Sequence, residues 1–203
     1  MDLVVSFQAR RLECSVDEQV LLESGHKFCG KWTEGQKSGF ILDQREIRAL
    51  GGKYSRGRNV LNLFCYTGGF SVYAAAGGAT EVCSVDASER AVQLADENMR
   101  LNFGDSFPHT TLACDAVAYL KQIGHRYDLL ILDPPAFTKS RDTIGSAVKG
   151  YKAINAKAMK LLPRGGYLAT CSCSHFMTNE LFRKLLHNAA EDAGVQMRQI
   201  EPR

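Results

Sequence analysis

Asn59-Val60-Leu61-Asn62-Leu63-Phe64-Cys65-Tyr66-Thr67-Gly68-Gly69-Phe70 is the stretch on which the fold turns. Residues 60–65 form a largely apolar run, bounded by Asn59 on one side and a Thr-Gly-Gly turn on the other. A strand without polar alternation is buried on both faces, as central strands of parallel sheets are. Residues 70–76 then read as a short helix stopped by Gly77-Gly78. Outward from this unit the alternation repeats. Residues 81–85 are a second strand, and Ser88 can cap a helix to about Leu101 that carries Ala91, Leu94, Ala95, Asn98 and Met99 on one face. Residues 110–114, 127–132 and 167–173 read as further strands, with helices near 116–123 and 146–162. Thr178 can cap a last helix, whose Leu181, Phe182, Leu185, Leu186 and Ala189 make an apolar stripe.

Repeated βα units of this kind require an α/β fold, a parallel sheet with helices on both faces joined by right-handed crossovers. Residues 1–35 break the pattern. Residues 16–22 and 26–32, split by Ser24-Gly25, look like a β-hairpin. The division expected is a hairpin segment over 1–35, part of an accessory domain, and a sheet domain over 36–203, with 36–58 as the link. Residues 195–200 start another strand close to Arg203, so the last strands of the sheet are expected to be cut short.

Composition narrows the classes. The 203 residues are 45% hydrophobic and 23% charged, which is globular rather than disordered. No apolar run reaches the roughly 20 residues of a membrane helix, and no signal peptide is legible. Seven cysteines, an odd number lying mostly in apolar runs, read as thiols of a reducing compartment, so a cytoplasmic location without membrane association is expected. None has metal-site spacing, so no metal is expected. The net charge is only +3, but it is unevenly placed. Lys31, Lys37, Arg45, Arg48, Lys53, Arg56 and Arg58 crowd one segment. Lys139, Arg141, Lys149, Lys152, Lys157, Lys160 and Arg164 crowd another. Two basic segments in a balanced chain suggest a local polyanion footprint.

In sheets of this type, ligands bind beyond the carboxyl ends of the strands. Asp86 ends the second strand, twenty positions after Tyr66, where a carboxylate can accept both hydroxyls of a ribose. Asp115 ends the third and can accept from an adenine amino group. The glycine turn is not GxGxxG, so a nucleoside held without a pyrophosphate loop points to S-adenosylmethionine rather than NAD. Asp133-Pro134-Pro135-Ala136-Phe137 ends the fourth strand with a rigid turn. There Asp133 can accept from an exocyclic amine, and Phe137 can stack on a base. Thr170-Cys171-Ser172-Cys173-Ser174-His175 ends the fifth. Cytosine is not nucleophilic at C5. A thiolate adding at C6 makes C5 enamine-like, able to take a methyl from a sulfonium. Cys173, nearer the strand end than Cys171, is the candidate nucleophile. Cys171 and the other five cysteines read as inert.

Gln36-Lys37-Ser38-Gly39-Phe40-Ile41-Leu42-Asp43-Gln44-Arg45, with residues 62–70, 133–137 and Ser172-Cys173-Ser174, resembles the class I S-adenosylmethionine-dependent methyltransferases of the bacterial large-subunit ribosomal RNA 5-methylcytosine family. The resemblance covers roughly residues 15 to 200. It implies a Rossmann-like methyltransferase domain over 36–203, S-adenosylmethionine as cofactor and ribosomal RNA as partner, with the oligomeric state open. It implies that Gln44 and Arg45 lie near the cofactor and that Tyr66, Thr67, Gly68, Asp86 and Asp115 bind it. Cys173 and Asp133 are then catalytic, and Pro134, Pro135 and Phe137 meet the substrate base. The RNA-binding PUA domain common in that family is not recognised here. Asn62 stands where many methyltransferases carry an acid. A related branch methylates guanine N7, which needs no thiol, so Ser172-Cys173-Ser174 favours cytosine C5. A catalytically incomplete fragment that binds cofactor or RNA is a further alternative.

Overall fold

The computed structural model describes residues 18–31, 44–137, 144–174 and 176–201. The motif residues 36–43, together with Lys139, Arg141 and His175, lie outside the described residues. Strands β1 (Glu18–Glu23) and β2 (His26–Lys31) pair antiparallel with Glu23 opposite His26. Ser24 and Gly25 both take positive φ, the turn that suits the twist of a two-residue hairpin.

The main sheet is built from β3 (Asn59–Leu63), β4 (Glu81–Asp86), β5 (His109–Ala113), β6 (Leu129–Leu132) and β7 (Tyr167–Thr170). All four pairings are parallel, in the order β5-β4-β3-β6-β7. The chain builds outward from β3 through β4 to β5, then returns to place β6 on the other side of β3. The switch point therefore lies between β3 and β6, where such sheets open a binding crevice. Val60, Val82, Leu129 and Ile131 face one layer with α2 (Gly69–Ala76). Leu61, Leu63, Cys83, Val85, Leu130 and Leu132 face the other, with α4 (Ala116–Gln122) and α5 (Ile144–Leu161). Ser88 caps α3 (Glu89–Phe103) and Thr178 caps α6 (Asn179–Ala193), each accepting an amide three residues on.

Three sequence readings are corrected. The fifth strand ends at Thr170, not Cys173. Its neighbour β6 runs into Pro134-Pro135, which offer no N–H, so the ladder closes with Cys171 N–H donating to Leu132 O at 2.9 Å. Residues 195–200 form no strand, because no neighbouring strand pairs with them among the described residues. The link before β3 contains a helix, α1 (Arg45–Lys53). Gly51-Gly52 hid it by looking like a breaker. Their missing Cβ atoms are what let α1 press on α2: a Cβ at Gly52 would lie 2.7 Å from Tyr73 O, and one at Gly77 would lie 2.0 Å from Gly52 O.

The hairpin packs onto this sheet. Phe28 is fully buried among Val60, Val72 and Tyr73. Arg48 of α1, 2% exposed, grips both oxygens of the hairpin's Glu23 from Nη2 at 2.8 Å, and the Tyr73 hydroxyl donates to Glu23 at 2.9 Å. Arg48 is thus an internal clamp between hairpin, α1 and α2, and does not belong to the surface charge to which its place in the sequence assigned it. No described helix is long and apolar enough to cross a membrane.

Candidate active site

The loop after β3 carries an unusual backbone. Phe64, Tyr66 and Gly68 all take positive φ, at 59°, 48° and 75°. The two non-glycine residues are strained, each by about 1–2 kcal/mol, and strain of this kind survives only where the surroundings impose it. Cys65 N–H donates to Val85 O, and Tyr66 N–H donates to Asp86 Oδ2 at 3.0 Å. Asn98 of α3, fully buried, donates from Nδ2 to Thr67 O at 2.8 Å and accepts Cys29 N–H of the hairpin at 2.7 Å. Gly68 is required twice over, by its φ and because a Cβ there would sit 2.8 Å from Ala95 Cβ. It starts α2 without a side-chain cap, so the first amides of that helix are left for an outside acceptor.

Asp86 holds this loop from β4. Besides Tyr66 N–H, its Oδ1 accepts Ser88 N–H at 2.9 Å. Asp115, exposed, caps α4 by accepting Ala118 N–H at 2.6 Å. Asn62 points away from the crevice. It is fully buried and donates to Ser71 Oγ at 2.9 Å, the start of a chain that passes through Ser84 to His109 Nε2. An acid there would need a second buried partner.

Across the switch point the loops after β6 and β7 meet. Asp133 N–H reaches Leu63 O of β3 at 3.5 Å. Cys173 Sγ donates to Asp133 Oδ1 at 3.5 Å. Gln44, the residue before α1, donates from Nε2 to the same Oδ1 at 3.0 Å and lies 3.8 Å from Cys173 Sγ. Three residues from distant parts of the chain therefore form one cluster beside the β3 loop. Arg45 follows Gln44 on the exposed first turn of α1. Pro134 is buried and Pro135 exposed. Phe137 is half-buried, its ring 4.5 Å from that of Tyr151 on α5.

The cysteines separate by environment. Among those described, only Cys173 is exposed. Burial pushes the Cys171 thiol far above its ordinary range, and the nearby Asp133 and Cys173 push the same way. Burial, reinforced by Asp86 and Cys83, does the same to Cys65. Cys83 and Cys114 are raised too, chiefly by burial. Such thiols stay protonated and unreactive.

Asp133 follows β6 as the sequence implies, whereas Cys173 lies in the loop three residues beyond the end of β7, and the contact of Gln44 with both has no signal in the sequence. The sequence reading also missed Asn98. The one available signal was an amide on the otherwise apolar face of α3.

Residues 12–197 match the family described as S-adenosylmethionine-dependent methyltransferase. The chain belongs to that family. Its curated relatives include ribosomal RNA large subunit methyltransferase I of Tolumonas auensis, 44% identical over 193 residues, 93% of this chain and 49% of the relative. The chain thus spans about half the length of the curated relatives it matches. A SAM-dependent methyltransferase of Streptococcus mutans superposes with a TM-score of 0.76 at 29% identity, covering 88% of this chain and 47% of that one. A methyltransferase crystallised with SAH gives a TM-score of 0.74 at 26% identity, covering 92% and 49%. The sheet with its layered helices is the Rossmann-like fold of these neighbours.

S-adenosylmethionine is the cofactor of this methyltransferase family, and the β3 loop fits it. The positive-φ backbone, the uncapped start of α2 and the Asp86 carboxylate offer donors and acceptors at the carboxyl end of the sheet, as a nucleoside with an amino-acid tail requires.

Proposed function

We propose that this chain is the methyl-transferring part of an RNA cytosine-5 methyltransferase acting on large-subunit ribosomal RNA. The observation that carries the reading is the exposed Cys173 thiol, 3.5 Å from the Asp133 carboxylate at the switch point. The names of the curated relatives support ribosomal RNA as the substrate class. Tyr66, Thr67, Gly68, Asp86 and Asp115 hold the cofactor in this reading, which supplies an electrophilic methyl on a sulfonium centre. The other steps fall to the chain's own groups. Asp133 takes the thiol proton as Cys173 Sγ bonds to C6 of the base, and the C5–C6 electron pair moves to C5. Gln44 fixes the acceptor oxygen by its 3.0 Å bond to Asp133, so the carboxylate meets the thiol in one orientation. After the methyl is on C5, a base removes the C5 proton and the Sγ–C6 bond breaks. Pro134 and Pro135 stiffen the turn beneath the base. Phe137 stands at the same turn, its ring tilted against that of Tyr151 at 4.5 Å. The base must leave its stack to reach this cluster.

The test is to incubate the protein with large-subunit ribosomal RNA and labelled cofactor, digest the RNA and identify the nucleoside. 5-Methylcytidine is expected. Methylguanosine would assign the chain to guanine N7 chemistry, and no label at all would leave it a binding fragment.

A further inference from the structure

Residues that precede the strands lie at the opposite end of the sheet from Cys173. There an open concavity of about 310 Å³ is lined by Arg56, Arg58, Arg164, Gly165 and Asp128, among others. Arg58 is fixed in place. Its Nη1 donates to Tyr54 O at 2.9 Å and Arg56 O at 3.2 Å, and its guanidinium lies 4.4 Å from the centre of the Tyr167 ring. Asp128 is partly used, accepting Asn59 N–H at 3.0 Å. Arg56 and Arg164 are exposed and have no carboxylate partner among the described residues. Three guanidinium groups against one engaged carboxylate leave the hollow positive.

Helix α1 joins this hollow to the proposed active site. Its start is Gln44, against Asp133 and Cys173, and its end is Lys53, three residues before Arg56. Residues 45, 49 and 53 are exposed at a spacing of four, so they share one edge. Arg45 and Lys53 stand at its two ends. Glu46 is exposed in the first turn, and Lys53 shares its charge with Glu201 at 3.2 Å. The nine residues of α1 span about 14 Å, enough to lie along more than one backbone phosphate. An open hollow that follows an exposed helix edge within three residues of chain suits a polymer backbone better than a small anion.

We infer that the edge of α1 and the Arg56–Arg58–Arg164 hollow form a track for the phosphate backbone of the RNA, leading away from the base held at Cys173. The inference rests on the RNA methyltransferase reading above. It brings Arg56 and Arg58 from the first basic segment and Arg164 from the second onto one surface at the far end of the sheet.

The test compares the protein with the Arg56→Ala/Arg164→Ala double variant. Binding of a large-subunit ribosomal RNA transcript is titrated across salt concentrations, and cofactor affinity and melting temperature serve as controls for folding. The double variant is expected to bind RNA at least about tenfold more weakly at low salt. Its slope of log affinity against log salt should be shallower by roughly 1.5 to 2. The Arg56→Lys/Arg164→Lys variant should recover most of the slope. Equal affinity and slope in the Ala variant and the parent, or no RNA affinity in the parent, would overturn the track. Methyl transfer is read in the same preparations. A parent that binds RNA through these arginines yet puts no methyl on cytosine overturns the reaction and leaves the track standing. A parent that methylates cytosine while its Ala variant binds equally well overturns the track alone.

Discussion

The loop after β3 and the paired loops after β6 and β7 border the same crevice, yet they are built by different means. The first is made of backbone. Its shape comes from positive φ at Phe64, Tyr66 and Gly68 and from amides tied to Asp86 and Val85. The second is made of side chains. Gln44, Asp133 and Cys173 come from positions up to 129 residues apart and meet through hydrogen bonds. A backbone site suits a constant ligand such as a cofactor, because any change in it disturbs the fold. A side-chain cluster can be altered one group at a time, so chemistry is tuned there. If this division holds, substitutions in the second region should change turnover with the fold intact. Those in the first should change binding and stability together.

The largest expected effect is in the second region. Cys173→Ala should lower methyl transfer to cytosine by on the order of 10³-fold or more, with cofactor affinity and melting temperature close to the parent's. Single-turnover transfer and calorimetry read both. A parallel loss of cofactor affinity would dissolve the distinction between the two regions.

Gly68→Ala probes the first. Positive φ at a residue with a Cβ costs about 1–2 kcal/mol, and the forced contact with Ala95 adds about 1–3 kcal/mol. Cofactor affinity and melting temperature should fall together. A variant with normal stability and normal affinity would show that the loop relaxes at little cost.

Gln44→Ala should be milder. It removes a hydrogen bond to a charged acceptor, worth about 1.5–3 kcal/mol. Turnover should drop by roughly 10- to 100-fold while KM for RNA changes little. Gln44→Glu, which sets a second carboxylate against Asp133, should be worse than Ala. A shift in KM alone would mean that Gln44 serves binding.

The smallest effect lies beneath both regions. Burial lowers the pKa of His109, against the opposing pull of Asp96, and that of His26, against Glu23. Both rings therefore hold a proton less readily in the fold than in the unfolded chain, so at acid pH unfolding takes protons up. Their contribution to stability is fully present above the ordinary histidine value of about 6.5 and is lost as pH falls below it. Melting temperature should be flat from pH 8 to 7 and decline toward pH 5. His109→Gln should flatten part of the decline. An unchanged slope in that variant would assign the decline to other groups.

The two regions also differ in how legible they are. The β3 loop could be read directly, because an apolar run followed by Thr-Gly-Gly is a local signal. Asp86 and Asp133 could be placed at strand ends by counting, and Cys173 at the same end of the sheet. The end of β7 was misread because Pro134-Pro135 act from the neighbouring strand. Helix α1 was hidden because Gly51-Gly52 suit close helix packing as well as a break. Charge along the chain said nothing of depth or of which end of the sheet a residue occupies. Thus Arg48 lies inside, while Arg56, Arg58 and Arg164 gather far from the thiol. The contact of Gln44 with Asp133 spans 89 positions and leaves no local trace.

The most direct test of the thiol's role uses RNA carrying 5-fluorocytidine, whose C5 has no proton to lose after methylation. With the methyl donor present, the chain should be trapped on the RNA through Cys173, giving an adduct that survives denaturation and maps by mass spectrometry to that residue. Methylation without any adduct, or an adduct that forms equally well in Cys173→Ala, would contradict it.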